Sequence, residues 1–403
     1  MRTVESNSKW RFRLGQARYD EWSENRCCRK WMTEVSRSGH SLVDAISAAN
    51  VSPNRVAAAN YPMVDSMESA EELIELYGRA LVRDVPYSDG ESHDKFRGEL
   101  PGSSKGEFVS WFLTEPYVRG HVAVNRDYAV WPQEDYLQSV DEYHSVVEGG
   151  QPHDPSTMTT GAIKTPRDGA AYVFRDDGLE QYLGVDTLLA TFGVGPNPTI
   201  APWLAGERND NFWGLSDLRS IRGELIKEVG DMAKSLKVHY SRLRPQELAY
   251  LYEVQRSGID SQLDRTFDLV INHERTISMM GKNNGTALLS QVYPAGAPLE
   301  ASYPSVHSML AWANHAISCI YWNQDAGVLT GNTVRDESEK LTDNIGLWRL
   351  DAGVNYRSDH YLCADIGTEI AERLVEQRVK WFGAEMEFSY RRLDGSVVTF
   401  KSV

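Results

Sequence analysis

Cysteine, basic charge and long apolar runs are all scarce in this chain, and each scarcity excludes something. The four cysteines are Cys27, Cys28, Cys319 and Cys363, with no CxxC pair among them. The adjacent pair lacks metal-ligand spacing, so neither a cysteine zinc site nor a disulfide scaffold is expected, only reduced thiols. Lys and Arg number 42 against 57 Asp and Glu, a net charge of -15. That balance excludes nucleic acid as a partner, because a phosphate backbone needs clustered cations. No apolar run is long enough for a membrane-spanning helix, and mean hydropathy is -0.45. Met1 to Trp10 is polar and has no signal-peptide core, so a cytoplasmic location is expected. In so acidic a chain, any anion site must be local, made by a few buried cations against the overall field.

What is present is ordinary globular composition, 41% hydrophobic and 25% charged over 403 residues, enough for a large core. Helical spacing recurs. Leu73, Leu76, Tyr77 and Leu81 share a face; so do Leu218, Ile221, Leu225, Met232 and Leu236, and Ile366, Ile370, Leu374 and Trp381. Ser305 to Trp322 is richer in apolar residues and reads as a central buried helix. Only the tail reads as strand: Phe388 to Leu393 and Ser396 to Val403 alternate around Asp394-Gly395. Gly, Pro, Ser and Asp mark loops at about 84–106, 150–170 and 193–202. The expected fold is all-α with a C-terminal hairpin. It parses as an N-terminal helical region (1–210), a core helical bundle (211–385) and the hairpin (386–403) within one integrated domain.

Three segments concentrate chemistry. Lys237-Val-His-Tyr-Ser-Arg-Leu-Arg244-Pro245 comes first, then Tyr303-Pro304-Ser305-Val306-His307, then Arg349 through Gly353-Val354-Asn355-Tyr356-Arg357-Ser358-Asp359. A tetrahedral oxyanion offers several charged acceptors. Lys237, Arg244 and Arg349 satisfy them by charge-assisted bonds, and Ser305 adds a hydroxyl. His307 opens the central helix near its positive end, which suits an anion. Each segment alone is weak; the three in order are a strong signal.

Their order and spacing resemble the signature of the vanadium haloperoxidases and the related acid phosphatases. There, a Lys and Arg precede Pro-Ser-Gly-His, and an Arg is followed by a His and then an Asp. The bromoperoxidase branch is the most similar. Leu81 to Asp89, Phe96-Arg97-Gly98, Phe108 to Tyr117, Pro298 to His307 and the Asp394-Gly395 hairpin resemble its segments, roughly residues 70 to 403. The resemblance implies a haloperoxidase-like helical fold and an oxyanion cage made by Lys237, Arg244, Ser305, His307 and Arg349.

Three residues depart from the pattern. Asn355 stands where the family has the His that coordinates vanadium or, in the phosphatases, becomes phosphorylated. A neutral amide is a poor transition-metal ligand and forms no phosphoenzyme. Val306 replaces a Gly, so positive-φ conformations are closed there. Glu300 stands where bromoperoxidases carry a second His, and a carboxylate beside an anion cage is repulsive unless a cation intervenes.

These departures lead to the main expectation: a cage that binds a phosphate ester without hydrolysing it. With an isoprenoid diphosphate as substrate it would stabilise the departing diphosphate, with Mg2+ held loosely by Glu300 and Asp359. On this reading His307, Asn355 and Arg349 carry catalysis. Met279-Met280, Trp312 and Phe192 are candidates for an apolar wall, although such residues are more often plain core. The chain is in this respect similar to the humulene synthases, sesquiterpene cyclases acting on farnesyl diphosphate. The alternatives are a vanadate-dependent haloperoxidase with a substituted ligand and a non-catalytic phosphate-binding relative. At most a second copy of the chain is expected as protein partner, with no membrane and no nucleic acid. Asp176-Asp177-Gly-Leu-Glu180 has the DDxxE form but reads first as a helix start. His239 reads as structural. His360 could replace the missing His, though its helical phase differs. Asp359 is expected to orient Asn355 or a cage Arg.

Overall fold

The computed structural model describes residues 62–89, 108–115, 117–119, 122–124, 128–130, 132–150, 159–175, 179–200, 214–382 and 386–402. Cys27, Cys28, Phe96-Arg97-Gly98 and most of the Asp176-Asp177 motif lie outside them. Helix α1 (Met67–Leu81) is followed by short strands β1 (Tyr117–Arg119), β2 (Val122–Val124), β3 (Tyr128–Val130) and β4 (Thr159–Gly161). Then come α2 (Pro166–Arg175), α3 (Leu179–Thr191), α4 (Leu215–Tyr240), α5 (Pro245–Arg256) and α6 (Glu274–Lys282). The C-terminal part holds α7 (Val306–Tyr321), α8 (Val334–Asp351), α9 (Arg357–Tyr361), α10 (Ala364–Phe382), and a hairpin of β5 (Glu387–Arg391) and β6 (Val397–Lys401). β1 pairs with β2 and β3 with β4, both antiparallel.

The helical expectations hold in α1, α4, α7 and α10, and the hairpin register centres on Ser389 opposite Thr399. Three details differ. Strands β1 to β4 were not expected, because three residues are too few to show alternation. The expected 150–170 loop ends early: Thr165 and Lys164 donate to the Asp168 carboxylate (2.8 and 3.0 Å), and Pro166 opens α2. Trp381 is 76% exposed, since α10 turns its inner face through Val375 and Val379 instead.

The core forms around α7, whose residues from Ser308 to Tyr321 are all buried. Ser305 caps it by accepting from Ser308 N at 3.3 Å. Helices α10, α8 and α4 pack around α7. Within this apolar surround a buried ion pair is held: Arg222 on α4 donates to Asp186 on α3 at 2.8 and 2.7 Å, to Asn314 Oδ1 at 2.7 Å and to Ser318 Oγ at 3.0 Å. Both charged groups are fully buried, so the bidentate geometry and added bonds offset their desolvation.

Helices α7 and α10 meet most closely at Gly367. A Cβ there would strike the Met309 carbonyl oxygen and lie 3.0 Å from Ala313 N and 3.1 Å from Trp312 Cβ. Two of those atoms are backbone and cannot swing aside. Gly223, on the exposed face of α4, meets nothing within 4 Å. Gly367→Ala should therefore destabilise by about 1–3 kcal/mol through overpacking, exceeding its propensity gain. Gly223→Ala should stabilise by roughly 0.5–1 kcal/mol. Urea denaturation of the two variants should show midpoints moving in opposite directions; a shift in the same direction would contradict this packing.

Candidate oxyanion site

Three breaks between helices bring the motif segments together. α4 ends when Ser241 takes a left-handed conformation (φ 49°), its N–H bonding Lys237 O at 2.9 Å. The chain then runs extended through Arg244, whose N–H donates to Glu247 at 3.1 Å, and Pro245 opens α5. The 300–305 strand of chain lies against this stretch: Ser302 N donates to Arg242 O (2.9 Å) and Ser302 Oγ to Leu243 O (3.2 Å). α8 stops after Asp351. Gly353 turns the chain at φ 80°, where a side chain would collide with Gln291, and Asn355 follows.

One carboxylate ties all three. Asp359, fully buried, accepts from Tyr356 N at 2.9 Å and Asn355 Nδ2 at 3.1 Å through Oδ2, and from Arg242 Nη1 at 2.6 Å through Oδ1. Asn355 Nδ2 also donates to Ser302 O at 2.9 Å, and its Oδ1 accepts from Arg349 Nε at 3.3 Å. Both Nδ2 partners can only accept and the Oδ1 partner can only donate, so the amide orientation follows from its neighbours. Behind this, Glu72 on α1 accepts from Ser358 N (2.6 Å) and Arg242 Nη2 (2.7 Å), and the Arg242 guanidinium lies 4.0 Å from the Tyr356 ring centroid. The expectation that Asp359 orients Asn355 agrees with this geometry, but the arginine it holds is Arg242. Arg242 and Glu72 escaped the sequence reading. Arg242 sits inside the first motif, where its neighbours drew the attention, and Glu72 looks like any exposed acid of an amphipathic helix.

In front of the tie lie the cations. Lys237 bonds Ala301 O and stands 3.4 Å from Glu300 Oε1. Arg244 donates to Glu300 O at 2.7 Å and Val354 O at 2.8 Å, and its Nη2 is 3.6 Å from Glu300 Oε1. Lys237, Arg244 and Arg349 are all buried. Burial, with Arg244 adding to it, lowers Lys237 to about 8 against the pull of Glu300. Burial and Arg349 likewise lower Arg244 to about 10. Burial alone would raise Glu300, but Lys237 and Arg244 outweigh it and hold the carboxylate below its ordinary range. Lys237 and Arg244 thus share the Glu300 carboxylate, while Arg349 bonds the neutral Asn355 amide, a cluster of cations suited to an anion.

His307, in the first turn of α7, is driven well below its ordinary pKa by burial and by Arg349 and Lys237, despite a bond to the Val173 backbone. It is therefore a neutral imidazole at neutral pH. The Val173 backbone on α2 favours its charged form only weakly, and a neutral imidazole keeps one nitrogen as an acceptor. Ser305 accepts from Ser308 N and, at 3.0 Å, from Ser308 Oγ, so its first task is capping. Val306 sits in the helical first turn, where a β-branched residue fits without strain.

Several expectations are corrected. The Mg2+ expected at Glu300 and Asp359 draws no support: each carboxylate is paired with cations, and among the described residues no cluster of three metal-ligating side chains occurs. His360 is no substitute ligand. It is buried, stacks on Trp312 at 5.5 Å and faces Asp343 at 3.3 Å. His239 is exposed on the last turn of α4 and Phe192 is 42% exposed, so neither is core. Trp312 and Met279 are core.

No family model matches the chain. It is 24% identical over 424 residues to a vanadium-dependent bromoperoxidase of Ascophyllum nodosum, covering 88% of this chain and 74% of that protein. It is 24% identical over 375 residues to one of Corallina officinalis, covering 75% of this chain and 62% of that protein, less than two thirds of its length. Among solved structures, the homohexameric second vanadate-dependent bromoperoxidase (AnII) of Ascophyllum nodosum aligns with a TM-score of 0.73 at 18% identity, over 85% of this chain and 72% of that one. The chain has the vanadium haloperoxidase fold and is a distant sequence relative of the bromoperoxidases. The humulene-synthase expectation draws no support from these relatives. Among the described residues, no helix is long and apolar enough to cross a membrane.

Vanadate, the cofactor these relatives imply, fits the site only in part. Its oxygens suit Lys237, Arg244 and Arg349. Its central atom finds no basic nitrogen at position 355, because the Asn355 amide is already spent on Ser302, Asp359 and Arg349.

Two outcomes follow. Asp359→Ala strands buried donors on two of the segments, Arg242 Nη1 on the first and Tyr356 N on the third, and loosens Asn355, which reaches Ser302, so it should cost about 3–5 kcal/mol in denaturant unfolding. A loss below roughly 1 kcal/mol would show that the segments are joined by something else. An anion favours charged Lys237, whose proton leaves at about pH 8. Phosphate affinity should therefore be full below that pH and fall by up to about tenfold per unit above it. Calorimetry from pH 7 to 9.5 should show the fall, and Lys237→Met should flatten it.

Proposed function

We propose that this protein is a haloperoxidase-like oxyanion-binding enzyme whose site takes a tetrahedral inorganic oxyanion, vanadate or phosphate, by charge-assisted hydrogen bonds alone. The observation that carries this reading is Asn355. It stands where the resemblance puts the family's ligand His, accepts from Arg349 at 3.3 Å and donates to Asp359 and Ser302. It therefore orients a cage arginine and supplies no bond to a central atom. The three cations in front of it supply the binding energy, since each charge-assisted bond in a buried site contributes roughly 1.5–3 kcal/mol. The similarity to vanadium-dependent bromoperoxidases supports vanadate as one occupant. The cyclase reading is not retained, because the relatives found are vanadium-dependent bromoperoxidases and give it no support.

The reading is tested with two variants. Wild-type protein should bind vanadate and phosphate in calorimetry, and Arg349→Ala should weaken both by at least about 100-fold. With vanadate, peroxide and bromide, the wild type should brominate a phenolic dye weakly or not at all, while Asn355→His should raise that rate by at least about tenfold. Folded wild-type protein that binds neither anion would sink the proposal. Wild-type bromination as fast as that of Asn355→His would sink the claim that position 355 limits the chemistry.

A further inference from the structure

Three buried cations would be expected to present a purely donating surface. Here they share the cage with two acceptors. Glu300 Oε1 lies 3.4 Å from Lys237 Nζ and 3.6 Å from Arg244 Nη2, and the Glu300 side chain is 33% exposed against 5% for Lys237 and 3% for Arg244. The carboxylate is thus the part of the cluster that meets an arriving ligand. It cannot retreat far, because its own backbone is tethered to the cations: Arg244 Nε donates to Glu300 O at 2.7 Å, and Lys237 bonds the next carbonyl, Ala301 O. The second acceptor is His307. Set among Arg349, Lys237 and Arg244, its neutral imidazole keeps one nitrogen that can only accept.

An anion with no hydrogen would satisfy the cations while facing a carboxylate and a lone pair. An anion with an O–H turns the same contacts into hydrogen bonds, one of them charge-assisted. We propose that Glu300, together with His307, makes this site selective for tetrahedral oxyanions that carry their own proton, such as hydrogenphosphate or hydrogenvanadate, over sulfate and dianionic phosphate esters. The inference rests on the oxyanion reading above and adds the residues that set its specificity. The competing view makes Glu300 a plain counterion that weakens every anion alike, and it predicts no selectivity.

The probes are inorganic phosphate, sulfate and methyl phosphate, titrated calorimetrically at pH 7.5 into wild-type protein and Glu300→Gln. At this pH inorganic phosphate keeps an O–H, whereas a phosphate monoester, with a second pKa near 6, is mostly without one. Wild-type protein should prefer phosphate to the other two by on the order of 100-fold, the scale of a like-charge contact removed. In Glu300→Gln the preference should shrink to within about tenfold, mainly because sulfate and methyl phosphate gain affinity. Glu300→Gln removes a carboxylate from two buried cations, so its melting temperature is measured alongside to confirm that the variant is folded at the titration temperature. Equal binding of the three anions by the wild type would overturn the inference while leaving the oxyanion site standing. So would a Glu300→Gln variant that strengthens all three equally. Failure of the wild type to bind any of the three would remove the site reading, and this inference with it.

Discussion

The buried carboxylate of Asp359 holds three separate stretches of chain at one point. Through Arg242 it fixes the turn after α4, through Tyr356 N and Asn355 it fixes the turn after α8, and through Asn355 it reaches Ser302 and the approach to α7. Each stretch delivers something different to the cage: Lys237 and Arg244, Arg349, and Glu300 with His307. The stretches lie where helices end or begin and belong to no sheet, so ladder bonds cannot set their spacing. A charged acceptor with donors on all sides sets it instead, and burial makes the arrangement stiff because a stranded donor would be costly.

The cage itself shows how a protein keeps cations buried before a ligand arrives. Lys237 and Arg244 are each bonded to backbone carbonyls, at Ala301, Glu300 and Val354, and both lean on the Glu300 carboxylate. Those neutral acceptors leave the positive charge in place while satisfying the geometry of the donors. The depressed pKa of Lys237, about 8, measures what the compromise leaves uncompensated.

The chain shares the fold of the bromoperoxidases at 18–24% identity, and the departure at position 355 from the signature it resembles bears directly on the cage. A ligand histidine offers a lone pair outward; Asn355 turns its whole amide into the support of Arg349. The helical packing around α7 is indifferent to that exchange, since the capping by Ser305, the close approach at Gly367 and the Arg222–Asp186 pair lie elsewhere. A shared fold does not by itself fix the chemistry at its site.

The amino-acid sequence by itself determined the long helices, the tail hairpin and the three cage segments. Amphipathic periodicity over fifteen or more residues and charged motifs are local signals, and local signals survive in one dimension. It also pointed to Asn355 and Glu300 as departures, because a missing basic nitrogen and an added carboxylate are visible as letters. Tertiary structure decided what those letters do. Whether Glu300 and Asp359 hold a metal or pair with cations depends on neighbours more than fifty residues away, Lys237 and Arg244 for one and Arg242 for the other. The contribution of Glu72 from α1, the setting of His307 among Arg349, Lys237 and Arg244, and the exposure of His239 and Phe192 were likewise settled only by packing. Charge partners and burial are properties of through-space distance, and a side chain's type alone does not say which surface it will meet.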